Sequence, residues 1–294
     1  MNMDLSPTQL SELEALAIQA AQRAAAMIQT RVRQDLEVLH KEGGSSVASQ
    51  VVTEVDLESQ RLILETLEDS IRRYELGLLT EESPDDASRH QRKHFWCIDP
   101  MDGTLAFTKQ SPGYSVSIAL VARDGTPSIG VVCDPVSGTI HHSIRGQGAR
   151  RNGEPWEPQS HASNDKLSLF IDHSFIATAS RPEFRERLEA LAKNRGCHEI
   201  DIIDHQGAVL NACSVATNAP ALYFKPPKPE PGGGSLWDFA ATACIFTELG
   251  LPASDFHGQP LNLNPEGSTF MNHRGVLYAS DLQLAAGAHE LKQP

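Results

Sequence analysis

Two short apolar runs, residues 76–79 and 95–98, lead straight into carboxylates: Glu81-Glu82 after the first and Asp99 after the second. Runs this short bounded by acids and turn residues read as buried strands rather than helices. The pattern therefore predicts a sheet that delivers acids to one of its ends. Val116, Ile118 and Leu120 alternate, as do the apolar residues around 129–132, and 139–144 pairs behind a glycine-containing turn. These runs predict an antiparallel sheet. Helices cover its face. The first begins at Ser6-Pro7-Thr8-Gln9, with a capping serine, proline at the first helical position and glutamine at the capping-box position. Its apolar stripe is Leu10, Leu13, Ala17, Ala20, Ala24 and Ile28. The second starts after Asp56 and runs to about Arg73, with Ile63, Leu67 and Ile71 on one face. Gly43-Gly44-Ser45-Ser46 between them reads as a loop.

Residues 146–158 are rich in turn formers and mark a boundary. Residues 1–158 then form an N-terminal α+β half with the antiparallel sheet and most of the acids. Residues 159–294 form a C-terminal half. There a strand at 167–171, a helix at 182–193 capped by Ser180, a small-residue helix at 208–216, a helix at 238–249 stopped by Gly250, a strand at 276–279 and a short terminal helix alternate in the manner of an α/β layer. Residues 226–234 read as a flexible loop.

The formal charge of −13 argues against a binder of nucleic-acid polymers, which needs basic surface. It leaves small anionic substrates open, because a bound cation inverts the local field. No stretch approaches the roughly 18 apolar residues of a membrane span. Glu12 and Glu14 break any signal-peptide pattern. The five cysteines are widely spaced, which fits reduced thiols and a cytoplasmic setting.

The strongest chemical signal is Asp99-Pro100-Met101-Asp102-Gly103-Thr104. A strand delivers Asp99, and Asp102 returns three positions later. Gly103 permits close backbone approach, and Thr104 starts a helix whose N–H groups suit a phosphate. Carboxylates this close repel unless a cation lies between them, and hard oxygen ligands favour magnesium. A rival motif, the D-x-D-G-T-L of haloacid dehalogenase phosphatases, needs a nucleophilic aspartate where this chain has Pro100. The twelve histidines are scattered, and the pair His141-His142 faces opposite sides of a strand.

The run from Asp99 to Phe107 resembles the D-P-x-D-G-T-x-x-F signature of the inositol monophosphatase superfamily. Trp237-Asp238-Phe239-Ala240-Ala241, ending at Glu248-Leu249-Gly250, resembles its W-D-x-A-A signature with the E-x-G ending. Glu81-Glu82-Ser83 is similar to the family's G-E-E-S, with Thr80 for glycine, and Val52-Thr53-Glu54-Val55-Asp56 to its V-T-x-x-D. The resemblance implies a layered αβαβα sandwich and Mg²⁺-dependent, lithium-sensitive hydrolysis of a small phosphomonoester by a homodimer. It implies that Glu81, Asp99 and the Met101 carbonyl hold one metal, and that Asp99, Asp102 and Asp238 hold a second. Glu81 and Thr104 orient and deprotonate the attacking water, Asp56 anchors the hydroxyl, and Asp102-Gly103-Thr104 receive the phosphate through the N–H groups of Gly103 and Thr104.

Departures from the family pattern bear on the substrate. Gln50 stands where many members place an aspartate for a loosely held third ion. Lys41 is the candidate for a lysine usually found upstream of V-T. Lys225 replaces a glutamate that accepts from ring hydroxyls in inositol-specific members. A lysine cannot accept and suits a second anion, to which the loop adds Lys228. The expectation is an enzyme for inositol monophosphate or a similar polyol or sugar phosphate. The alternative is a 3'(2'),5'-bisphosphate nucleotidase acting on 3'-phosphoadenosine 5'-phosphate, and a third reading is a regulatory protein that keeps the phosphatase fold.

Overall fold

A computed structural model describes residues 5–32, 38–40, 51–158 and 165–291. The loop expected at 43–46, Lys41 and Gln50 lie outside the described residues.

Helix α1 (Pro7–Arg31) opens with the expected capping box: Ser6 Oγ accepts from Gln9 N, and Gln9 Oε1 accepts from Ser6 N. Its stripe of Leu13, Ala17, Ala20, Ala24 and Ile28 is buried, and the alanines allow close approach to its neighbours. Strands β1 (Val38–His40) and β2 (Val51–Thr53) pair antiparallel. Helix α2 (Glu54–Arg73) starts three residues before the expected position, so Asp56 lies inside its first turn.

The larger sheet contains β3 (Gly77–Thr80), β4 (His94–Asp102), β5 (Ser115–Ala122), β6 (Pro127–Cys133), β7 (Ile140–Ile144), β8 (Ala149–Arg151) and β9 (Glu154–Pro155), neighbouring in that order. It is antiparallel except for β3 beside β4, which run parallel. Two short helices, α3 (Ser88–Gln91) and α4 (Thr104–Thr108), flank β4. The turn-rich stretch is no bare linker. It carries β8 and the edge strand β9, both so short that their turn residues obscure a period of two.

The second sheet has the order β11-β10-β12-β14-β13, built from β10 (Lys166–Phe170), β11 (Glu199–Ile203), β12 (Ala221–Lys225), β13 (Ala253–Ser254) and β14 (Val276–Ala279). Strand β10 runs parallel to β11 and β12, whereas β14 is antiparallel to β12 and β13. Its helices are α5 (Ile176–Ala179), α6 (Pro182–Asn194), α7 (Ala208–Thr217), α8 (Leu236–Leu249) and α9 (Leu282–Ala288). The cap expected from Ser180 does not form. Ser180 Oγ donates to the Ile176 carbonyl of the preceding helix, and Arg181 occupies the cap position ahead of Pro182.

Three apolar clusters define the layers. Helices α1 and α2 meet one face of the larger sheet through Leu13, Ile63, Trp96 and Ile118. Helices α7 and α8 fill the space between the sheets, with Phe95 and Val132 below and Tyr223 and Tyr278 above. Helices α6 and α9 cover the far face through Phe184, Leu188 and Leu284. The result is an αβαβα stack, as expected. Gly130 fixes the spacing of its middle: a Cβ there would lie 2.2 Å from the Ala241 carbonyl oxygen, so α8 rests directly on β6.

Candidate active site

Asp99 and Asp102 are three residues apart, so in a regular strand they would face opposite sides of the sheet. The pairing shows why they do not. Asp99 stands opposite Ser117 and Asp102 opposite Ser115, so three steps on β4 match two on β5. A bulge absorbs the extra residue and turns both carboxylates to one face. That face belongs to the middle layer, since Phe95 and Cys97 point into it while Trp96 and Ile98 point away. Met101 N donates to Asp99 Oδ1 at 3.0 Å, and Ser59 of α2 holds the Pro100 carbonyl at 2.7 Å.

The third carboxylate arrives from α8. Asp238 is the third helical residue, not the first, and completes a capping box in which its Oδ2 accepts from Ser235 N at 2.8 Å. One oxygen each from Asp99, Asp102 and Asp238 lies within 4.8 Å of the others. Asp99 and Asp102 are buried, and Asp238 is partly so. Burial pushes the Asp99 carboxyl well above the ordinary range, reinforced by Glu81, Asp102 and Asp238. Asp102 is pushed to about 8 by burial and then Asp238, against N–H bonds from Val209 and Ala208. Asp238 rises to about 6 through burial, opposed chiefly by Lys225. Asp238 raises the pKa of both Asp99 and Asp102, because ionised groups gathered this closely repel one another. A set of hard oxygen donors with so much unbalanced negative charge fits a divalent cation.

Glu81 follows β3 and its charge acts on Asp99 and Asp238, but it is not part of the tight three-carboxylate group. Asp56 is buried at the start of α2, and its Oδ1 lies 3.1 Å from Thr104 Oγ1. The same hydroxyl lies 3.2 Å from the Met101 carbonyl, so its one proton serves one acceptor at a time. Gly103 has φ +85°, and a Cβ on it would lie 2.5 Å from the Gly113 carbonyl oxygen. Within this turn the helical bonds begin at Ala106 N, which donates to the Gly103 carbonyl at 2.8 Å.

Lys225 comes in from β12. Its Nζ lies 2.8 Å from Asp172 Oδ2 and 5.5 Å from the centre of the Phe239 ring. Tyr223 donates to the other oxygen of Asp172 at 3.2 Å. Burial works against the Lys225 charge, but Asp172, Asp238 and Asp102 together raise its pKa. The lysine is thus a counter-charge to the acids, and its nearest anion is internal. Lys228 lies in the neighbouring loop, its carbonyl held by Asn272 and its aliphatic end against Gly233.

Sequence reading missed several residues. Gln60, one turn after Asp56, takes a hydrogen bond from the Thr80 hydroxyl, accepts from Glu82 N at 3.2 Å and donates to Ser83 at 2.9 Å. It ties α2 to the acidic loop and uses the hydroxyl of Thr80 in doing so. Its i,i+4 spacing from Asp56 was the available signal. Asp172 and Gly207 carried none, since their partners lie far along the chain.

Over residues 9–293 the chain matches the model of the inositol monophosphatase family. It is 28% identical over 223 residues to a 3'(2'),5'-bisphosphate nucleotidase CysQ of Salmonella typhimurium, covering 75% of this chain and 82% of that protein. It is 29% identical over 245 residues to a Nus factor SuhB of Pasteurella multocida, covering 83% and 85%. Among solved structures, an IMPase of Thermotoga maritima superposes with a TM-score of 0.70 at 24% identity, covering 95% of this chain and 98% of that one, which speaks to the fold. Among the described residues no helix is long and apolar enough to cross a membrane.

Proposed function

The chain belongs to the inositol monophosphatase family, and from that premise we propose that it is a Mg²⁺-dependent phosphomonoesterase acting on inositol monophosphate or a similar small polyol or sugar phosphate. The observation that carries this reading is the convergence of Asp99, Asp102 and Asp238 from a bulged strand and a helix start. Glu81, Asp99 and the Met101 carbonyl are assigned to one ion, and Asp99, Asp102 and Asp238 to a second. Bound magnesium supplies the positive charge that offsets the acids, favours ionisation of water and stabilises a leaving oxygen.

The rest of the work falls to the chain. Thr104 Oγ1 orients the attacking water, and Asp56 fixes that hydroxyl from behind at 3.1 Å. Glu81 takes the water's proton. The N–H groups of Gly103 and Thr104, beside Asp102, hold the phosphate, and the αL turn at Gly103 sets their direction. Positioning and electrostatics then suffice for in-line transfer to water. The same reading carries lithium inhibition, a homodimer, a cytoplasmic setting and two halves meeting at 158/159.

A second reading, a 3'(2'),5'-bisphosphate nucleotidase, draws support from Lys225, a cation beside the acids where inositol-specific members carry an acceptor. Phosphate release is to be measured from inositol 1-phosphate, fructose 1,6-bisphosphate and 3'-phosphoadenosine 5'-phosphate, with magnesium and with EDTA, for the wild type and Lys225→Glu. Preference for the inositol ester supports the first reading. Preference for the bisphosphate nucleotide, lost in Lys225→Glu, supports the second. No magnesium-dependent release from any ester would discard both and leave the regulatory alternative.

A further inference from the structure

Gly207 immediately precedes α7 with φ −67° and ψ 169°, a backbone conformation open to any residue. Its lack of a side chain therefore has another cause. A Cβ at this position would lie 2.2 Å from Asp102 Oδ2, 2.6 Å from its Cγ and 2.7 Å from its Oδ1. The carboxylate cannot simply swing aside, because α7 holds both of its oxygens. Oδ1 accepts from Ala208 N at 3.1 Å and Oδ2 from Val209 N at 2.9 Å.

The backbone of Gly207 is pinned as well. Its N–H donates to the Gly113 carbonyl at 2.7 Å, and that carbonyl is the atom a Cβ on Gly103 would strike. Gly113 in turn has no room for a side chain, since its Cβ would lie 2.5 Å from the His205 carbonyl oxygen. Three glycines thus let three backbone segments meet beside Asp102. The start of α7 is brought against the acidic turn by contacts that any added methyl would break.

We propose that Gly207 is a positioning residue for the cation centre, seating the Asp102 carboxylate on the first N–H groups of α7. An ionised carboxylate offers about four lone-pair sites, and the helix uses one on each oxygen. The others would be left for a cation shared with Asp99 and Asp238, since one oxygen of each of the three carboxylates lies within 4.8 Å of the others. Gly207 touches neither cation nor substrate and acts only through Asp102. This inference rests on the cation reading of the three carboxylates given above.

The test is a double-mutant cycle on the full chain, with Mn²⁺ binding followed by calorimetry and thermal unfolding recorded for each variant. The variants are Gly207→Ala, Asp102→Ala and the two combined. Gly207→Ala is expected to weaken Mn²⁺ binding at least fivefold and to lower the unfolding temperature. In the Asp102→Ala background, where the carboxylate has vacated the space, the same change is expected to alter binding less than twofold and to leave the unfolding temperature unchanged. A smaller loss in the wild-type background, or losses that multiply, overturns the proposal. If Gly207→Ala alone does not fold, the combined variant decides: folding supports the seat, and failure overturns it. A wild type that binds no Mn²⁺ refutes the cation reading instead, and the unfolding temperatures alone then judge whether Gly207 seats Asp102.

Discussion

Replacing Gly130 by alanine isolates the contact that sets the height of α8. Gly130 is not among the positive-φ residues, so alanine fits its backbone. The added Cβ would lie 2.2 Å from the Ala241 carbonyl oxygen and 3.0 Å from Cys244 Cβ. Relief requires α8 to retreat by about 1 Å, an overpacking cost of about 1–3 kcal/mol. At about 2–4 °C per kcal/mol for a chain somewhat smaller than this one, the unfolding temperature falls by about 2–12 °C. The functional effect is separate and sharper. Asp238 lies one turn before Ala241, so the shift pulls it from Asp99 and Asp102, with which one of its oxygens is grouped within 4.8 Å. Misplacements of about 1 Å at a reacting centre cost up to about 100-fold in rate. Circular dichroism melting and phosphate release across a magnesium titration measure the two effects. An unfolding temperature within about 1 °C of wild type with an unchanged magnesium requirement would refute the reasoning.

Three further outcomes follow from buried polar groups. His141 has neither ring nitrogen hydrogen-bonded among the described residues, and its pKa is pushed down to about 4 by burial, then by Arg151 and His142. The unfolded chain takes up that proton near 6.5, so stability falls by up to about 3 kcal/mol as pH drops from 6.5 to 4. His141→Phe flattens this slope in urea unfolding at stepped pH; an unaltered slope would count against it. Glu248 at the end of α8 accepts from Gly146 N at 2.8 Å and Gly148 N at 2.7 Å. Glu248→Ala should cost about 2 kcal/mol, read from the urea midpoint, and no shift would contradict that bond pair. Asp172→Asn leaves Lys225 without its anion at a cost of about 3 kcal/mol, and adding Lys225→Met should recover part of it. Equal stability of the single and double variants would show that the pair is not coupled.

The acidic turn was legible because its constraints are local. Asp99, Pro100, Asp102 and Gly103 each restrict one backbone position or supply one ligand, and all lie within five residues. Helix α1 was legible for the same reason, its capping box and stripe being short-range. Strand β11 was not, because Glu199 and Asp201 interrupt its apolar residues on a half-exposed edge. The bulge in β4 also escaped notice: only pairing with Ser115 and Ser117 reveals that two aspartates of opposite parity share a face. Lys225 was singled out as a cation in search of an anion. Asp172, 53 residues earlier and just past β10, answers much of that demand.

The central claim is that three carboxylates gathered by β4 and α8 hold the cations on which phosphate release depends. Asp99→Asn and Asp238→Asn remove a negative charge from that group while preserving shape. Phosphate release from the best substrate of the panel, measured against magnesium for both variants, tests the claim most directly. The expected result is loss of magnesium-dependent release in both, with far-UV circular dichroism unchanged. Wild-type turnover in either variant would contradict it.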